Sequence, residues 1–577
     1  MPIRTPIAGL LVLTWAAIAA AEPPGLLPGF HRSPWFDEQV RERWVEGSVR
    51  VLINAPANID PKRPTRLVVY ATPNGNTIEQ TLGCAKADGL DWHFDIQHVA
   101  AQVRRLRELS PKENIVLACV EAEGLSWPAW RRTTPDAAAR IARVVAGMRE
   151  TVPGSPVRVT LTGHSGGGSF LFGFIEAADQ VPDFVDRIGF LDANYSFDAE
   201  KHADKLLPWL RGGAERRLIV VAYDDREIRL DGKPVIGKDG GTYRATGRMA
   251  DAFGRTVKLT EGKAGDFITR TGLDGQLALY VHPNPENRIL HTALVGEMNG
   301  VLQVLTVGDP EAKQWGTFGG PRAYTKCVQP APTIPARPAD AAGGTAVSQR
   351  LARLSPADRE EAIAHELLRG NLPDFLRKWY PITIRGKDKT GRELSVTVDV
   401  MPDYLAIGSD TDFVRVPTTP QTAQRVADAF GCAMPTRKLV DEIDRNATVR
   451  VDPIPLAEAR EAAETFVRHS ELIEKQRAGK ILGELVAGIK KDVVVTNRLA
   501  EKPNRVAIYG WHKLDGTPIQ PLSIVHVNNY VDYSHGVRLV RRTVIVDGKA
   551  RDIRQAMHAV DIASLLSDEG PLDWPSY

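Results

Sequence analysis

The chain has 577 residues, too many for one ordinary domain, and its 43% hydrophobic and 25% charged residues are the balance of a globular protein able to bury sizeable cores. Its 73 basic and 71 acidic residues leave a formal charge of +2, which gives no support to a nucleic-acid partner and implies no polyanionic one. Four cysteines in this length exclude a disulfide scaffold, and the absence of Cys-x-x-Cys and His-Glu-x-x-His argues against a zinc site.

The first residues combine Arg4, an apolar run from about Pro6 to Ile18, and Ala19-Ala20-Ala21. This is the pattern of a signal peptide over 1–21, cleaved before Glu22. The run is shorter than a membrane span, and no later stretch is long enough for one. Export to a periplasm or beyond is therefore expected, without stable membrane insertion after cleavage. Export permits disulfides. Of the three ways to pair Cys84, Cys119, Cys327 and Cys432, a Cys84–Cys119 bridge is the one favoured.

From residue 22 to 328 strand-like and helix-like segments alternate. Gly47 to Ala55 and Arg66 to Thr72 read as strands. Ile96 to Leu109 has the helical period, with Ile96, Val99, Ala100, Val103 and Leu106 apolar. Asn114 to Val120 is an apolar run suited to a buried parallel strand. Pro135 to Thr151 is a helix with Pro135 in its first turn. Val157 to Thr162, Arg187 to Leu191 and Arg217 to Tyr223 are further short strands. Repeated alternation of this kind predicts a doubly wound α/β sheet. Residues 329–344, with Pro330, Pro332, Pro335 and Pro338 among Ala, Thr and Gly, have a linker composition. Residues 345–577 read as a separate α+β domain, helical near Pro356 to Gly370 and Glu458 to Lys480, with strands at Val396 to Val400, Asp492 to Thr496 and Val537 to Asp547.

Gly163-His164-Ser165-Gly166-Gly167 follows the strand Val157 to Thr162 and precedes an apolar helix from Gly168 to Ala178. A strand, a tight turn carrying Ser between glycines, and a helix is the context of a nucleophile elbow. Small neighbours let the turn form, and the helix N-terminus offers N–H groups to a developing oxyanion. The order Gly-His-Ser-Gly-Gly, later Asp, later His resembles the α/β-hydrolase superfamily over roughly residues 45–320. The resemblance implies a Ser nucleophile, an acid and a His base in that chain order, on an α/β-hydrolase sheet. Ser165 is then the nucleophile. His291 is the favoured base, with His282 the rival. Asp224, directly after the strand Leu218 to Tyr223, is the favoured acid; Asp192, after the preceding strand, and Asp225 are the alternatives. The oxyanion donors are expected to be the N–H of Gly166 and one from the loop Pro73-Asn74-Gly75-Asn76, with Asn74 or Gly75 supplying it. That loop departs from the His-Gly-Gly-Gly form of lipases.

Trp92, Trp127, Trp130 and Tyr195 either line a pocket or pack in the core, and core packing is favoured. Asp91, His93, Asp95 and His98 read as helix-capping residues before a metal site. In the second domain, Trp511, His512, His526, Tyr530 and the run Asp532-Tyr533-Ser534-His535-Gly536 concentrate His and aromatic residues, and Cys432 precedes a helix. A thiol site at Cys432 and a carbohydrate site at Trp511, Tyr530 and Tyr533 are both open there. The expectation is an exported serine hydrolase that needs no cofactor or metal and cleaves a small-molecule or polysaccharide-linked carboxylic ester. A peptidase and a non-catalytic binding protein on the same scaffold are the alternatives.

Overall fold

The computed structural model describes residues 25–388 and 390–577; the signal peptide expected over 1–21 lies outside them. The strands β1 (His31–Arg32), β2 (Glu38–Val45) and β3 (Val49–Pro56) form an antiparallel edge. Then come β4 (Thr65–Ala71), helices α1 (Ile78–Leu82) and α2 (Val99–Leu109), β5 (Asn114–Ala122), α3 (Trp127–Thr133) and α4 (Ala137–Thr151). Next are β6 (Val157–His164), α5 (Gly168–Glu176), β7 (Val185–Leu191), α6 (Ala199–Arg211) and β8 (Arg217–Tyr223). A short hairpin of β9 (Arg229–Leu230) and β10 (Lys233–Pro234) leads to α7 (Thr242–Gly254). The strands β11 (Thr260–Ala264), β12 (Phe267–Gly272) and β13 (Leu277–His282) precede α8 (Gly300–Thr306).

Eleven of these strands make one sheet in the order β1-β2-β3-β5-β4-β6-β7-β8-β13-β12-β11. From β5 to β13 the pairs are parallel. Parallel strands need cover on both faces, which is why every residue of β5 is buried. One face packs on Trp127, Phe170, Phe172, Leu206 and Phe253 from α3, α5, α6 and α7. The other packs on Val99, Val103, Leu302 and Leu305 from α2 and α8. This is a doubly wound, mostly parallel α/β sheet. The chain leaves β4 toward β5 and leaves β6 toward β7, so the carboxyl ends of the neighbours β4 and β6 form the switch point at which ligands bind in open sheets.

The second body has its own core, running from Val347 to Tyr577. It holds an antiparallel sheet that includes Tyr380–Lys387, Glu393–Val400 and Thr543–Val546, and a four-stranded sheet of Pro518–Ser523, Ile508–His512, Lys491–Val493 and His535–Gly536. The Pro-rich segment before it is fastened at intervals. The Gln329 carbonyl accepts from Ala85 N–H at 2.8 Å, Thr333 N–H donates to the Ala429 carbonyl at 2.9 Å, and Arg337 Nε donates to the Gly408 carbonyl at 3.0 Å. All four cysteines are buried and free, so the Cys84–Cys119 bridge does not form here. No helix of the described residues is long and apolar enough to cross a membrane.

Buried charge joins the two bodies. Arg50 of β3 donates to Glu42 at 2.7 Å and to Glu121 at 3.3 Å, and also pairs with Glu79. From the second body, Arg542 reaches Glu79 at 2.7 Å, Arg554 reaches Glu42 at 2.6 Å, and Gln555 donates to Glu121 at 2.8 Å. Asp428 bridges His31 and Arg554, at 2.8 and 2.6 Å. Trp44 stacks on His558 with ring centroids 3.8 Å apart. Burial pushes the Glu121 carboxyl up to about 7, with Arg50 opposing and Glu79 adding to the rise. An unfolded glutamate titrates near about 4.3. The folded chain therefore holds this proton more tightly, and that contribution to stability fades as the pH rises through the interval. The urea midpoint of the parent protein is expected to lose ground against Glu121→Gln between about pH 4 and 7; parallel curves would mean that Glu121 does not titrate there.

Candidate active site

Strand β6 must give way to α5 in almost no distance. Ser165 does this in the left-handed region, at φ 53°, a strained conformation for a residue with a Cβ. The next three residues are glycines because there is no space beside them. A Cβ on Gly166 would stand 2.0 Å from Asn74 Oδ1, one on Gly167 2.4 Å from the Ala71 carbonyl, and one on Gly168 1.6 Å from the Ala193 carbonyl. The turn is thus wedged between the loops that follow β4 and β7, with Ser165 partly exposed.

His291 lies on the loop after β13. Its Nδ1 meets Asp192 Oδ2 at 2.5 Å. Its carbonyl accepts from His164 Nε2 at 3.0 Å, and the two rings lie 4.3 Å apart, so His291 stands against the residue that precedes Ser165. Burial, with His291 adding, holds the His164 imidazole well below its ordinary pKa and therefore neutral. Asp192 follows β7 directly, is buried, and takes φ 47°. Its backbone N–H donates to the Val221 carbonyl at 2.7 Å, and its Oδ1 accepts from the Thr242 hydroxyl. Thr242 opens α7, and its N–H donates to Asp225 Oδ2 at 2.7 Å. Burial pushes the Asp225 carboxyl up to about 6; the Thr242 N–H opposes this and the nearby Asp192 adds to it. Gly241 is required there, since a Cβ would stand 2.5 Å from that carboxylate.

These positions separate the candidate acids: His291 meets Asp192 and not the favoured Asp224. Asp224 turns outward to Arg226, whose Nη2 and Nε donate at 2.6 and 2.9 Å and hold its carboxyl below the usual range. Asp192 is the partner of His291. His282 is held in its own turn, where Nδ1 accepts from Asn284 N–H at 3.0 Å. The two candidate oxyanion donors also separate. The Gly75 N–H is already given to the Leu125 carbonyl at 2.8 Å. The Asn74 N–H makes no hydrogen bond among the described residues, and its side chain stands beside Gly166. Thr242 was not singled out by sequence, Asp225 was an alternative acid, and His164 was named only as part of the elbow. Only His164 lay within a motif, and nothing in the order of residues ties Thr242 to Asp192.

Trp127 and Trp130 are core residues, with Trp127 edge-on to Phe170 at 4.7 Å, whereas Trp92 is exposed. Asp91 caps a short 3-10 turn at Trp92–Asp95, and Asp95 pairs with His98 at 2.8 Å and Arg322 at 2.9 Å. No group of three or more His, Cys, Asp or Glu among the described residues is arranged to hold a metal ion. Cys432 lies in a two-residue buried strand, not at a helix start, and burial pushes its thiol up to about 12. Trp511 and Tyr533 are buried and offer no stacking face to a carbohydrate. A cavity of about 1190 Å³ runs between the two bodies, with Gly75, Leu125 and Trp35 on one wall and Trp379, Phe430 and Arg541 on the other.

No family model matches the chain, and no curated protein does. Among solved structures it is similar to a thermostable esterase, at 14% identity and a TM-score of 0.28 over 48% of this chain. This chain spans 62% of that esterase. It is also similar to an S-formylglutathione hydrolase from Agrobacterium tumefaciens, at 14% identity and a TM-score of 0.25 over 43% of this chain and 88% of that one. A feruloyl esterase module from Clostridium thermocellum, complexed with sinapinate, is similar at 9% identity and a TM-score of 0.26 over 47% of this chain and 90% of that one.

The crowding at the elbow has a direct check. Gly168→Ala drives a methyl into a backbone carbonyl and is expected to lower stability by at least about 1–3 kcal/mol. Gly147→Ala, in open space inside α4, is expected to raise it by about 0.5–1 kcal/mol. Thermal melting of the two variants, equal in effect, would refute the steric account.

Proposed function

We propose that the chain is a serine hydrolase that cleaves a carboxylic ester through an acyl-enzyme. The observation that carries this reading is the His291–Asp192 pair, at 2.5 Å, standing against the His164-Ser165 elbow. Ser165 Oγ attacks the ester carbonyl carbon while His291 Nε2 takes its proton. Asp192 accepts from His291 Nδ1–H, which fixes the tautomer that leaves Nε2 free to act as base. It also stabilises the imidazolium that forms. The N–H groups of Gly166 and Asn74 meet the oxyanion, and the positive end of α5 adds to them. His291 then protonates the departing alkoxide. In the second half it deprotonates water, which attacks the acyl carbon and releases the acid and Ser165. Thr242 holds the Asp192 oxygen that does not face His291, so the carboxylate cannot rotate away.

An ester is the favoured substrate because an alkoxide leaves with less assistance than an amine. Acyl groups on a polysaccharide suit an exported enzyme. On p-nitrophenyl esters of rising acyl length, Ser165→Ala is expected to lower kcat by at least about 10³-fold and Asp192→Asn by about 10²–10⁴-fold. Asp224→Asn is expected to leave it close to the parent value. Equal turnover by the parent and Ser165→Ala would end this reading, and turnover confined to peptide anilides would make the enzyme a peptidase.

Export is proposed from Arg4, the apolar run and Ala19-Ala20-Ala21. Expression of the full chain in a bacterium, followed by intact-mass measurement of the periplasmic and secreted fractions, is expected to give a protein that starts at Glu22. Retention of the uncleaved chain in the cytoplasm would overturn it.

A further inference from the structure

We infer that Asp225 is a positioning residue for the hydrolysis proposed above: as a carboxylate it pins the first turn of α7, and Thr242 carries that restraint to Asp192 and so to His291. The inference rests on the hydrolase reading and adds to it a second carboxyl group behind the first. Asp192 and Asp225 follow the neighbouring strands β7 and β8, and both are buried. Thr242 stands between them and divides its two donors. Its N–H goes to Asp225 Oδ2 at 2.7 Å. Its hydroxyl goes to Asp192 Oδ1 and lies 3.4 Å from Asp225 Oδ2. Gly241 allows this approach, since its φ is 91° and a Cβ there would stand 2.5 Å from both Asp225 oxygens.

The restraint matters because the backbone of Asp192 is already fixed. Its N–H is given to the Val221 carbonyl at 2.7 Å, so what remains to be set is the rotation of its carboxylate. Oδ2 meets His291 Nδ1, and the Thr242 hydroxyl holds Oδ1. The place of that hydroxyl follows the first turn of α7, whose N-cap, Gly241, supplies no side chain. Two ties hold the turn. Asn194 Nδ2 donates to Thr246 Oγ1 at 3.0 Å, and the Thr246 hydroxyl donates to the Thr242 carbonyl at 2.8 Å. Asp225 is the other tie. An N–H bonded to a carboxylate is held about twice as strongly as one bonded to a neutral acceptor.

Asp225 can lose its charge. Asp192 and Tyr195 face it from the loop after β7, Tyr223 from β8 and Thr242 from α7. Burial and the two carboxylates push both phenols up, so they stay neutral. Asp225 forms no salt bridge among the described residues, and the nearby Arg226 is taken by Asp224. Burial pushes the Asp225 carboxyl up to about 6, with the Thr242 N–H opposing and Asp192 adding to the rise. The tie is therefore charged above about pH 6 and neutral below it. His291 must be neutral to act as base, so the acid limb of the parent carries two ionisations.

Turnover of p-nitrophenyl acetate by the parent, Asp225→Asn, Thr242→Val and the double variant, from about pH 4.5 to 8.5, tests this. Asp225→Asn keeps the shape of the side chain and stays neutral. It is expected to lower kcat about 5–10-fold near pH 8, with KM nearly unchanged, and to converge on the parent below about pH 5. In the Thr242→Val background, where the link to Asp192 is cut, the same substitution is expected to change kcat less than about 2-fold. Thr242→Ser, which restores the hydroxyl, is expected to recover the kcat and pH profile of the parent. Thermal melting identifies the variants that fold. If Asp225→Asn does not fold, the acid limbs decide: two ionisations in the parent and one in Thr242→Val support the inference, and equal limbs overturn it. A loss in Asp225→Asn that is the same at every pH, or that persists in the Thr242→Val background, overturns the positioning role, while Ser165-dependent turnover leaves the hydrolase reading standing. Turnover that does not depend on Ser165 overturns both.

Discussion

The candidate active site depends on a steric constraint at the end of β6. The chain must turn from a central parallel strand into a helix while the loops after β4 and β7 press on it from both sides. Contact distances of 1.6 to 2.4 Å for hypothetical methyls at Gly166, Gly167 and Gly168 measure how tightly they press. The same pressure keeps Ser165 at φ 53°, a conformation that a solvated turn would relax. Asn74, which stands against Gly166, and Ala193, which stands against Gly168, are thereby tied to the nucleophile position. Asn74 belongs to the loop proposed to hold the oxyanion, and Ala193 follows Asp192, the carboxylate that meets His291. Elements far apart in the chain meet at one point because the glycines leave nothing between them.

How much of this was legible in the sequence differs from element to element. The strands β4 to β8 and the helices α2, α4 and α5 announce themselves because each is apolar throughout or on one face, and a parallel sheet covered on both sides requires that. Strand β2, Glu-Gln-Val-Arg-Glu-Arg-Trp-Val, does not. It buries Glu38, Glu42 and Arg43, and a reading that equates burial with hydrophobicity passes over it. The edge hairpin β11–β12 is missed for the opposite reason: it is largely exposed and polar. The helix after His291 begins only at Gly300, since Asn299 takes a left-handed φ of 62° and the preceding residues form tight turns.

Within the candidate site, residues set by chain order were easier to read than those set by side-chain direction. Ser165 and His291 follow from motif and position. Asp224 and Asp192 both follow a strand, and the carboxylate that meets His291 is one strand of the sheet away from the one that does not. Arg226, two residues beyond Asp224, captures that carboxylate locally, whereas Asp192 has no local cation and is met instead by Thr242, 50 residues later. A charged neighbour close in sequence is the one signal that could have favoured Asp192. The Pro-rich segment teaches a related lesson. Its composition describes a tether, but carbonyls and N–H groups from both bodies fasten it along its length.

Arg50, Arg542, Arg554, Glu42, Glu79 and Glu121 meet where β3 and β5 face the second body, and Arg50, Glu42 and Glu121 are almost wholly withdrawn from water. Mobile ions weaken attraction between charges that they can surround, over a distance of about 10 Å at 0.1 M, and buried pairs are screened much less. The union of the two bodies is consequently less sensitive to the salinity of the medium than a contact between surface charges.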